Sequence, residues 1–135
     1  LMQKRLYKLV PKYIPEPISY KNGIMKSRKY GVSLKQWLKT HKYRPQIAQN
    51  VRLILNKIRR KYPGFRHMDL HIGNVLVYKG KIMLIDFGLS RLNAKGVSQN
   101  RDMITFFNSL RRFLKKKKCS YSCSAASIAK RIMHI

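Results

Sequence analysis

One stretch decides the fold of this chain: residues 67–88, which read HMDLHIGNVLVYKGKIMLIDFG. Two short runs, Val75–Tyr78 and Lys81–Ile85, are rich in strand-forming residues and are separated by a two-residue turn that ends in glycine. This pattern predicts two antiparallel strands joined by a tight hairpin. Polar segments flank it, with His67–Asn74 before the first strand and Asp86-Phe87-Gly88 after the second. Because the two open ends of a hairpin lie at the same edge, we expect these polar segments to meet there.

Acidic residues are rare in this chain, which makes their positions informative. The 135 residues include 31 Lys and Arg but only four Asp and Glu, for a formal net charge of +27 at pH 7. Three of the four lie in or close to the polar segments, at Asp69, Asp86 and Asp102. Carboxylates retained in so basic a chain are expected to have specific roles.

The polar segments contain side chains that phosphoryl transfer requires. Such a reaction needs a group that orients or deprotonates the acceptor hydroxyl, and metal ions that neutralise phosphate charge. Asp69 and Asn74 lie on one loop, and Asp86 lies at the other end of the hairpin. Magnesium prefers oxygen ligands, so the Asp86 carboxylate and the Asn74 amide are suitable, with nucleotide phosphates and water completing the shell.

Two motifs resemble those of a known superfamily. His67–Asn74 is similar to the catalytic loop of the protein-kinase-like superfamily, and Asp86-Phe87-Gly88 matches its metal-binding motif. The resemblance implies ATP and Mg²⁺ as cofactors, Asp69 and Asn74 as catalytic residues with Asp69 as the base, and Asn74 and Asp86 as metal and cofactor ligands. The order Asp-Leu-His-x-Gly-Asn looks more like the atypical and small-molecule kinase branches than ordinary Ser/Thr kinases.

The resemblance also implies supporting roles for residues around these motifs. We expect His67 to pack beneath the catalytic loop, Phe87 to be a hydrophobic spine residue and Gly88 to complete the metal-binding motif. Asp102 resembles the aspartate that begins the next core helix and hydrogen-bonds back to the catalytic loop. Met68 stands where ordinary kinases carry an arginine, which argues against control by phosphorylation of the activation segment.

The predicted fold is α+β: a mainly helical, kinase-like C-lobe with a small β-hairpin that carries the catalytic and metal-binding loops. Residues 1–32 are expected to form a residual N-lobe strand and hinge, residues 33–114 the C-lobe core, and residues 115–135 a basic, Ser-rich tail with a short helix. The sequence has no Gly-rich phosphate loop and no Val-Ala-Ile-Lys-like strand. The N-lobe is therefore predicted to be missing or vestigial, and the start at Leu1 suggests a fragment of a longer product.

Local patterns predict several elements in the first half of the chain. The runs Tyr7–Val10 and Gly23–Lys26 are expected to be strand-like, on either side of a proline-rich segment. Ser33 and Gln36 form a capping box that predicts the start of a helix. Apolar residues at helical spacing predict a longer helix from Pro45 to Tyr62.

The last third of the chain is predicted to be helical with an interruption. A helix is expected over Arg101–Leu114, and the Lys115–Lys118 run is expected to break it. A last amphipathic helix is expected over Ala125–Ile135. The apolar face predicted for the first of these helices consists of Ile104, Phe107, Leu110 and Leu114.

Several single residues allow two interpretations. His71 fits either a metal ligand or second base, or a residue that packs within the loop, and loop packing is favoured. Trp37 fits either a base-stacking surface residue or a core residue, and the neighbouring leucines favour the core. Cys119 and Cys123 are too few for a disulfide framework and are interpreted as ordinary thiols in a reducing, intracellular setting.

The charge predicts polyanionic partners. A net charge of +27 favours nucleic acid or acidic protein surfaces, with an N-lobe or a larger assembly as a further partner. No apolar run is long enough to predict a membrane span.

Three functions are therefore considered. The first is ATP- and Mg²⁺-dependent phosphoryl transfer to Ser or Thr, given an N-lobe upstream. The second is a catalytically inactive, kinase-derived structural or nucleic-acid-binding component of a large assembly, by analogy with kinase-like proteins carried in particles of large DNA viruses. The third, a small-molecule kinase, is ranked last because four acidic residues are too few to build a pocket for a cationic substrate.

Overall fold

The computed structural model describes residues 2–28 and 30–133, and the side chains of these residues except Met25 and residues 119–133. These residues form a small α+β fold with four α-helices and two small antiparallel sheets. In chain order the elements are α1 (Met2–Leu9), β1 (Pro17–Lys21), β2 (Ile24–Ser27), β3 (Val32–Ser33), α2 (Leu34–Trp37), α3 (Pro45–Lys61), a 3₁₀ turn (Ile72–Asn74), β4 (Val75–Tyr78), β5 (Lys81–Leu84) and α4 (Arg101–Met133).

The predicted hairpin forms the centre of the larger sheet. β4 and β5 pair antiparallel, with Val75 opposite Leu84. The two loop residues, Lys79 and Gly80, have φ angles of 48° and 74°, as a turn that follows the strand twist requires. β3 pairs with the other edge of β4, which gives the order β3-β4-β5. The hairpin forms as predicted, and β5 ends one residue before the expected Ile85.

The N-terminal region contains a helix that the sequence pattern did not predict. Tyr7–Val10, expected to be strand-like, lies in α1 and at its C-terminal end, whereas the strand expected at Gly23–Lys26 is present as β2. Met2, Leu6 and Val10 recur every four residues, so a helix places them on one face. Leu6 and Val10 are buried in the core, and this tertiary burial favours the helix over a strand.

α3 provides the main helical face of the core, as the sequence predicts. It begins with Pro45 in its first turn, where the missing N–H costs nothing, and Tyr62 caps its end. The shorter helix α2 begins at the predicted cap, where the backbone N–H of Gln36 donates to Ser33 Oγ at 3.1 Å. The side chains that α3 buries are Ile47, Ala48, Val51, Ile54, Leu55 and Ile58.

α4 differs from the prediction in two respects. It continues without a break through Lys115–Lys118, because lysine is a good helix former and no Gly or Pro occurs beyond residue 96. Its buried face is shifted from the predicted one: Leu110 is buried and Phe107 and Leu114 pack against the core as predicted, whereas Ile104 is 53% exposed. Among the side chains of α4 that the structure describes, those up to residue 118, the buried ones are Asp102, Met103, Phe106 and Leu110.

Two predictions fall partly outside the described residues. The side chains of Cys119 and Cys123 lie outside them, as do residues 134 and 135 at the end of the expected last helix. Within the described part of the chain, no helix is both long and apolar enough to cross a membrane.

Candidate functional site

A tight turn of the loop before β4 brings Asp69 and Asn74 together. Asn74 Nδ2 donates to the backbone oxygen of Asp69 at 2.9 Å and lies 3.4 Å from Asp69 Oδ2. The backbone N–H of Asn74 donates to the carbonyl oxygen of His71 at 2.9 Å, which closes the 3₁₀ turn. Asn74 is buried, whereas the Asp69 side chain is 37% exposed. The backbone of Asp69 is thus fixed by the buried Asn74, while its carboxylate remains accessible from outside the protein.

Asp86 reaches the same end of the hairpin through the backbone. The N–H of Ile85 donates to the carbonyl oxygen of Asn74 at 3.0 Å, so Asp86 follows directly after the residue bonded to Asn74. Asp86 is exposed and has φ of 59°, a left-handed conformation that aspartate tolerates better than most residues. The structure therefore brings Asp69, Asn74 and Asp86 to one region.

The chemistry of this region suits magnesium through oxygen donors. Asn74 and Asp86 offer an amide oxygen and a carboxylate, and phosphate oxygens of a nucleotide would supply further ligands. Among the described residues, no group of three or more His, Cys, Asp or Glu side chains is arranged to bind a metal ion. A site here would therefore form around a bound nucleotide, because the two candidate protein ligands do not make a complete cage.

His67 joins the two polar segments. Its Nε2 lies 2.8 Å from the carbonyl oxygen of Ile85, and its Nδ1 accepts from the backbone N–H of Asp69 at 3.2 Å. This pattern requires a neutral ring with its proton on Nε2. Burial lowers the pKa of His67, which favours the same neutral form. One imidazole thus sets the distance between the Asp69 loop and the segment that leads into Asp86.

Phe87 and Gly88 have different roles beside this imidazole. The Phe87 ring is buried in the core, with its centroid 5.1 Å from that of His67. The Gly88 N–H donates to Asp86 Oδ1 at 3.4 Å. A Cβ at Gly88 would meet nothing closer than this oxygen at 3.5 Å, an ordinary contact. Phe87 therefore supports the site by packing, whereas local crowding does not require a glycine at position 88.

Asp102 holds the loop from the side of α4. Its carboxylate is fully buried and accepts from the backbone N–H groups of His67 at 2.8 Å and Met68 at 3.0 Å. Met68 has φ of 73°, which is strained for a side chain of this size. Arg59 Nη2 lies 3.4 Å from Asp102 Oδ2 and supplies the counter-charge. Burial lowers the pKa of Arg59. Asp102 therefore holds the strained residue directly before Asp69, through hydrogen bonds from two backbone N–H groups and an ion pair with Arg59.

Arg66 ties the segment after Asp86 to the loop without any carboxylate. This buried guanidinium donates to the carbonyl oxygens of Ser98 at 3.1 Å and Phe65 at 2.7 Å. The backbones of Arg66 and Arg91 bond to each other in both directions, each at 2.9 Å. Ser90 Oγ also donates to the carbonyl oxygen of His67. Backbone hydrogen bonds thus connect the segment after Asp86 to the residues that lead into the catalytic loop.

His71 lies in the loop and faces Asp69. Its Nδ1 accepts from the backbone N–H of Gly73 at 3.1 Å, and its Nε2 lies 3.1 Å from Asn74 Nδ2 and 3.7 Å from Asp69 Oδ1. A Cβ on Gly73 would lie 2.8 Å from the His71 ring, so only glycine leaves room for the imidazole. Loop packing, the favoured interpretation of His71, agrees with these contacts.

A large cleft adjoins Asp86. Its volume is about 1050 Å³, and its wall includes Tyr30–Ser33, which ends in strand β3, the strand residue Leu76 and the segment Ile85–Gly88. Gln3 Nε2 donates to the carbonyl oxygen of Pro15 at 2.9 Å, and this contact fixes α1 against the β1 end of the cleft. A drug- or nucleotide-sized ligand is smaller than this volume.

Several supporting residues were not predicted from the sequence. Helical spacing places Arg59 away from the apolar face of α3 and names no partner for it, whereas the structure pairs it with Asp102. Neither Arg66 nor Ser109 lies in a recognisable sequence motif. Ser109 Oγ accepts a hydrogen bond from the backbone N–H of Ile72 at 3.0 Å. Their partners are mostly backbone groups distant in sequence, so spacing alone carried no signal. The one available hint was the low number of acidic residues, because buried arginines that lack a carboxylate partner must donate their hydrogen bonds to carbonyl oxygens.

Comparison with known families agrees with the geometry. The model of the ABC1 atypical kinase-like domain matches residues 5–117. The chain therefore belongs to the ABC1 atypical kinase-like family, within the protein-kinase-like superfamily. The superfamily predicted from the two motifs is confirmed, and the match extends further toward the N-terminus than the motifs, so that it includes most of α1 and the β1–β2 hairpin. A search of curated proteins gave no significant match.

Proposed function

We propose that this chain carries the catalytic half of an ATP- and Mg²⁺-dependent phosphotransferase that acts on Ser or Thr hydroxyls. One observation carries the proposal: Asp69, Asn74 and Asp86 lie together beside a nucleotide-sized cleft, in a chain that has only two other carboxylates. In this proposal, the phosphate contacts of a Gly-rich loop and a strand lysine come from a segment outside residues 1–135.

Asp69 is the group that meets the acceptor. Its partly exposed carboxylate would accept a hydrogen bond from the acceptor hydroxyl and orient the oxygen toward the γ-phosphorus of ATP. It would take up the hydroxyl proton as the new oxygen–phosphorus bond forms and the bond from that phosphorus to the ADP oxygen breaks, with ADP as the leaving group. Asn74 keeps the Asp69 backbone in place through its amide. His67 and Asp102 hold the same turn by three further backbone hydrogen bonds, so little reorganisation is needed when the substrate binds.

The cofactors would be held by the other side of the site. Asn74 and Asp86 are the residues that would bind Mg²⁺, which neutralises charge on the nucleotide phosphates when bound. The cleft supports ATP as the nucleotide, because its wall runs from Tyr30–Ser33 to Asp86–Gly88. A base lying against the first segment would leave the phosphates near the second.

Two isosteric substitutions test the proposal in a product that includes the upstream segment. Asp69→Asn should abolish phosphate transfer from ATP and leave nucleotide binding unchanged, since Asp69 is not a proposed ligand. Asp86→Asn should weaken Mg²⁺-dependent nucleotide binding as well as transfer. Equal transfer by wild type and Asp69→Asn would show that the proposal is wrong.

A second candidate function, a non-catalytic component that binds polyanions in a large assembly, is favoured by one separate surface. A groove of about 490 Å³ between α1 and the end of α3 shares no lining residue with the cleft. Four cations and no acid line it: Lys4, Arg5, Lys8 and Lys61. If this function operates, DNA binding should weaken steeply with salt, and joint substitution of these cations by alanine should reduce both the affinity and the salt slope. Salt-insensitive binding would count against it.

A further inference from the structure

We propose that the acceptor for this site is an acidic peptide, recognised by a basic cavity beside the catalytic loop. The inference rests on the proposed phosphotransferase function and extends it by naming the substrate class. The basic cavity has a volume of about 260 Å³, and three cations line it: Lys35, Arg112 and Lys116. Ile72 and Phe113 add apolar surface, and no acidic residue lines it.

His71 places the basic cavity next to the reacting group. The same imidazole that lines the cavity has its Nε2 at 3.7 Å from Asp69 Oδ1. The distance between an anion bound in the cavity and a substrate hydroxyl bound at Asp69 would therefore be about the width of the His71 imidazole ring and its contacts. An extended chain advances about 3.3–3.6 Å per residue, so the acidic residue should lie about two or three positions from the acceptor Ser or Thr.

The walls of the cavity are fixed relative to one another. Lys35 lies on α2, whereas Arg112 and Lys116 lie on α4 one turn apart. α4 is attached to the catalytic loop by the hydrogen bond from the Ile72 N–H to Ser109 Oγ, and to α2 by Lys117, whose Nζ donates to the Leu38 carbonyl oxygen at 2.6 Å. The backbone segments that carry the three cations are therefore held in place before an anion binds, although the cationic side chains themselves are exposed.

The charge of the cavity lacks a counter-charge within the described part of the chain. Of the four acids, Glu16 pairs with Arg28 and Asp102 pairs with Arg59. No carboxylate lies within 4 Å of any of the three cavity cations among the described residues. Cations that share a small cavity repel one another, and a carboxylate of a bound peptide would relieve this repulsion.

The size and lining favour a peptide over nucleic acid. A cavity of about 260 Å³ accommodates one or two side chains, whereas nucleic acid is usually bound by cations that follow its backbone over several phosphates. Phe113 and Ile72 can contact the aliphatic part of a glutamate, and His71 and Ile72 of the catalytic loop form part of the cavity wall. Nucleic acid remains an outcome that the test can reveal.

The test is a binding measurement that needs no catalysis. The probes are two fluorescent peptides with a central Ser, one with Glu and the other with Gln at the positions two and three residues from that Ser. Binding of each peptide to the whole chain is measured by fluorescence anisotropy at about 0.15 M salt, where long-range electrostatic attraction is screened. The Glu peptide should bind about tenfold more tightly than the Gln peptide. Arg112→Glu and Lys116→Glu should each remove this preference. Lys118→Glu, the same charge change on the same helix but outside the cavity, should retain it.

The outcomes separate this inference from the proposed function. Equal loss in Lys118→Glu, or a preference that Arg112→Glu leaves intact, would overturn the cavity assignment. A DNA oligonucleotide that binds more tightly than the Glu peptide and is lost in Arg112→Glu would also overturn it, in favour of nucleic acid. In the product that includes the upstream segment, transfer from ATP to Glu and Gln peptides at equal kcat/KM would overturn the inference and leave the proposed function standing. In the same product, an acidic preference in binding without transfer to any peptide would overturn the proposed function and the acceptor role, and would leave only the cavity as a binding site for acidic peptides.

Discussion

Replacement of Asp102 by Asn should loosen the catalytic loop with almost no change in side-chain shape. The buried carboxylate uses two oxygens to accept the backbone N–H groups of His67 and Met68. Asparagine has one oxygen and one NH₂ group, so one of these N–H groups would face a donor. Arg59 would lose its counter-charge at the same time.

The magnitude follows from these contacts. A buried N–H without an acceptor costs about 1–3 kcal/mol. The loss of charge on Asp102 adds to this, although Arg59 keeps a long contact to the Phe65 carbonyl oxygen and part of its side chain reaches solvent. We expect a total loss of about 3 kcal/mol in the free energy of unfolding. The strained φ of Met68 would no longer be held by its hydrogen bond, so the loop should open locally as well.

Urea unfolding followed by the fluorescence of Trp37, the single tryptophan, measures this loss. With an m-value of about 1.5–2 kcal/mol/M, the midpoint should fall by about 1.5–2 M. Glu16→Gln is the matched control, since it removes a carboxylate from an exposed ion pair with Arg28 at 3.7 Å and should not move the midpoint measurably. Equal midpoints for the two variants would refute the reasoning.

Three further predictions use other contacts of the fold. Because burial lowers the pKa of His67, only the unfolded chain takes up this proton as the pH falls below about 6.5. Urea titrations should show stability falling from that pH down to the folded pKa, by up to about 1.4 kcal/mol per pH unit, and His67→Gln should lack this component. Gly31→Ala should lower the melting temperature more than Gly80→Ala. Both glycines have positive φ, but a Cβ at Gly31 would lie 2.0 Å from a carbonyl oxygen, whereas Gly80 has nothing within 4 Å; equal shifts would contradict the close approach. Lys117→Met should cost about 1 kcal/mol through its lost contact to α2, with Lys118→Met unchanged, and a similar loss in both would point to helix propensity instead.

The family match sets the context for these experiments. The chain belongs to the ABC1 atypical kinase-like family by a match over residues 5–117. The match supports a kinase-like function in general terms, whereas transfer to a particular acceptor and binding of polyanions are left to the experiments above. The substitutions at Asp69, Asp102 and Arg112 address three separate levels: the chemistry, the support of the loop and the choice of substrate.

Elements whose signal is local could be predicted from the sequence. α3 buries one continuous face, so its apolar residues recur at helical spacing and its ends carry a proline and a Pro-Gly pair. The β4–β5 hairpin follows from two short runs and a glycine at a position that needs positive φ. The Ser33 cap also depends only on neighbours within one turn.

Elements whose conformation depends on distant partners were mispredicted. Tyr7–Val10 has strand-like composition, yet α1 forms because Leu6 and Val10 reach the core on one helical face. The rotation of α4 buries Asp102 beneath the loop and leaves Ile104 exposed, and the apolar spacing alone did not distinguish these two orientations.

By itself, the sequence determined the candidate reacting groups, because Asp69, Asn74 and Asp86 lie in motifs whose spacing is a property of the chain. Only the tertiary structure decided what holds and surrounds them. Arg59 pairs with an acid 43 positions away, and Lys117 bonds a carbonyl 79 positions away. The basic cavity likewise forms only when α2, the catalytic loop and α4 pack together. Such contacts depend on the close packing of segments remote in sequence, and no local pattern encodes them.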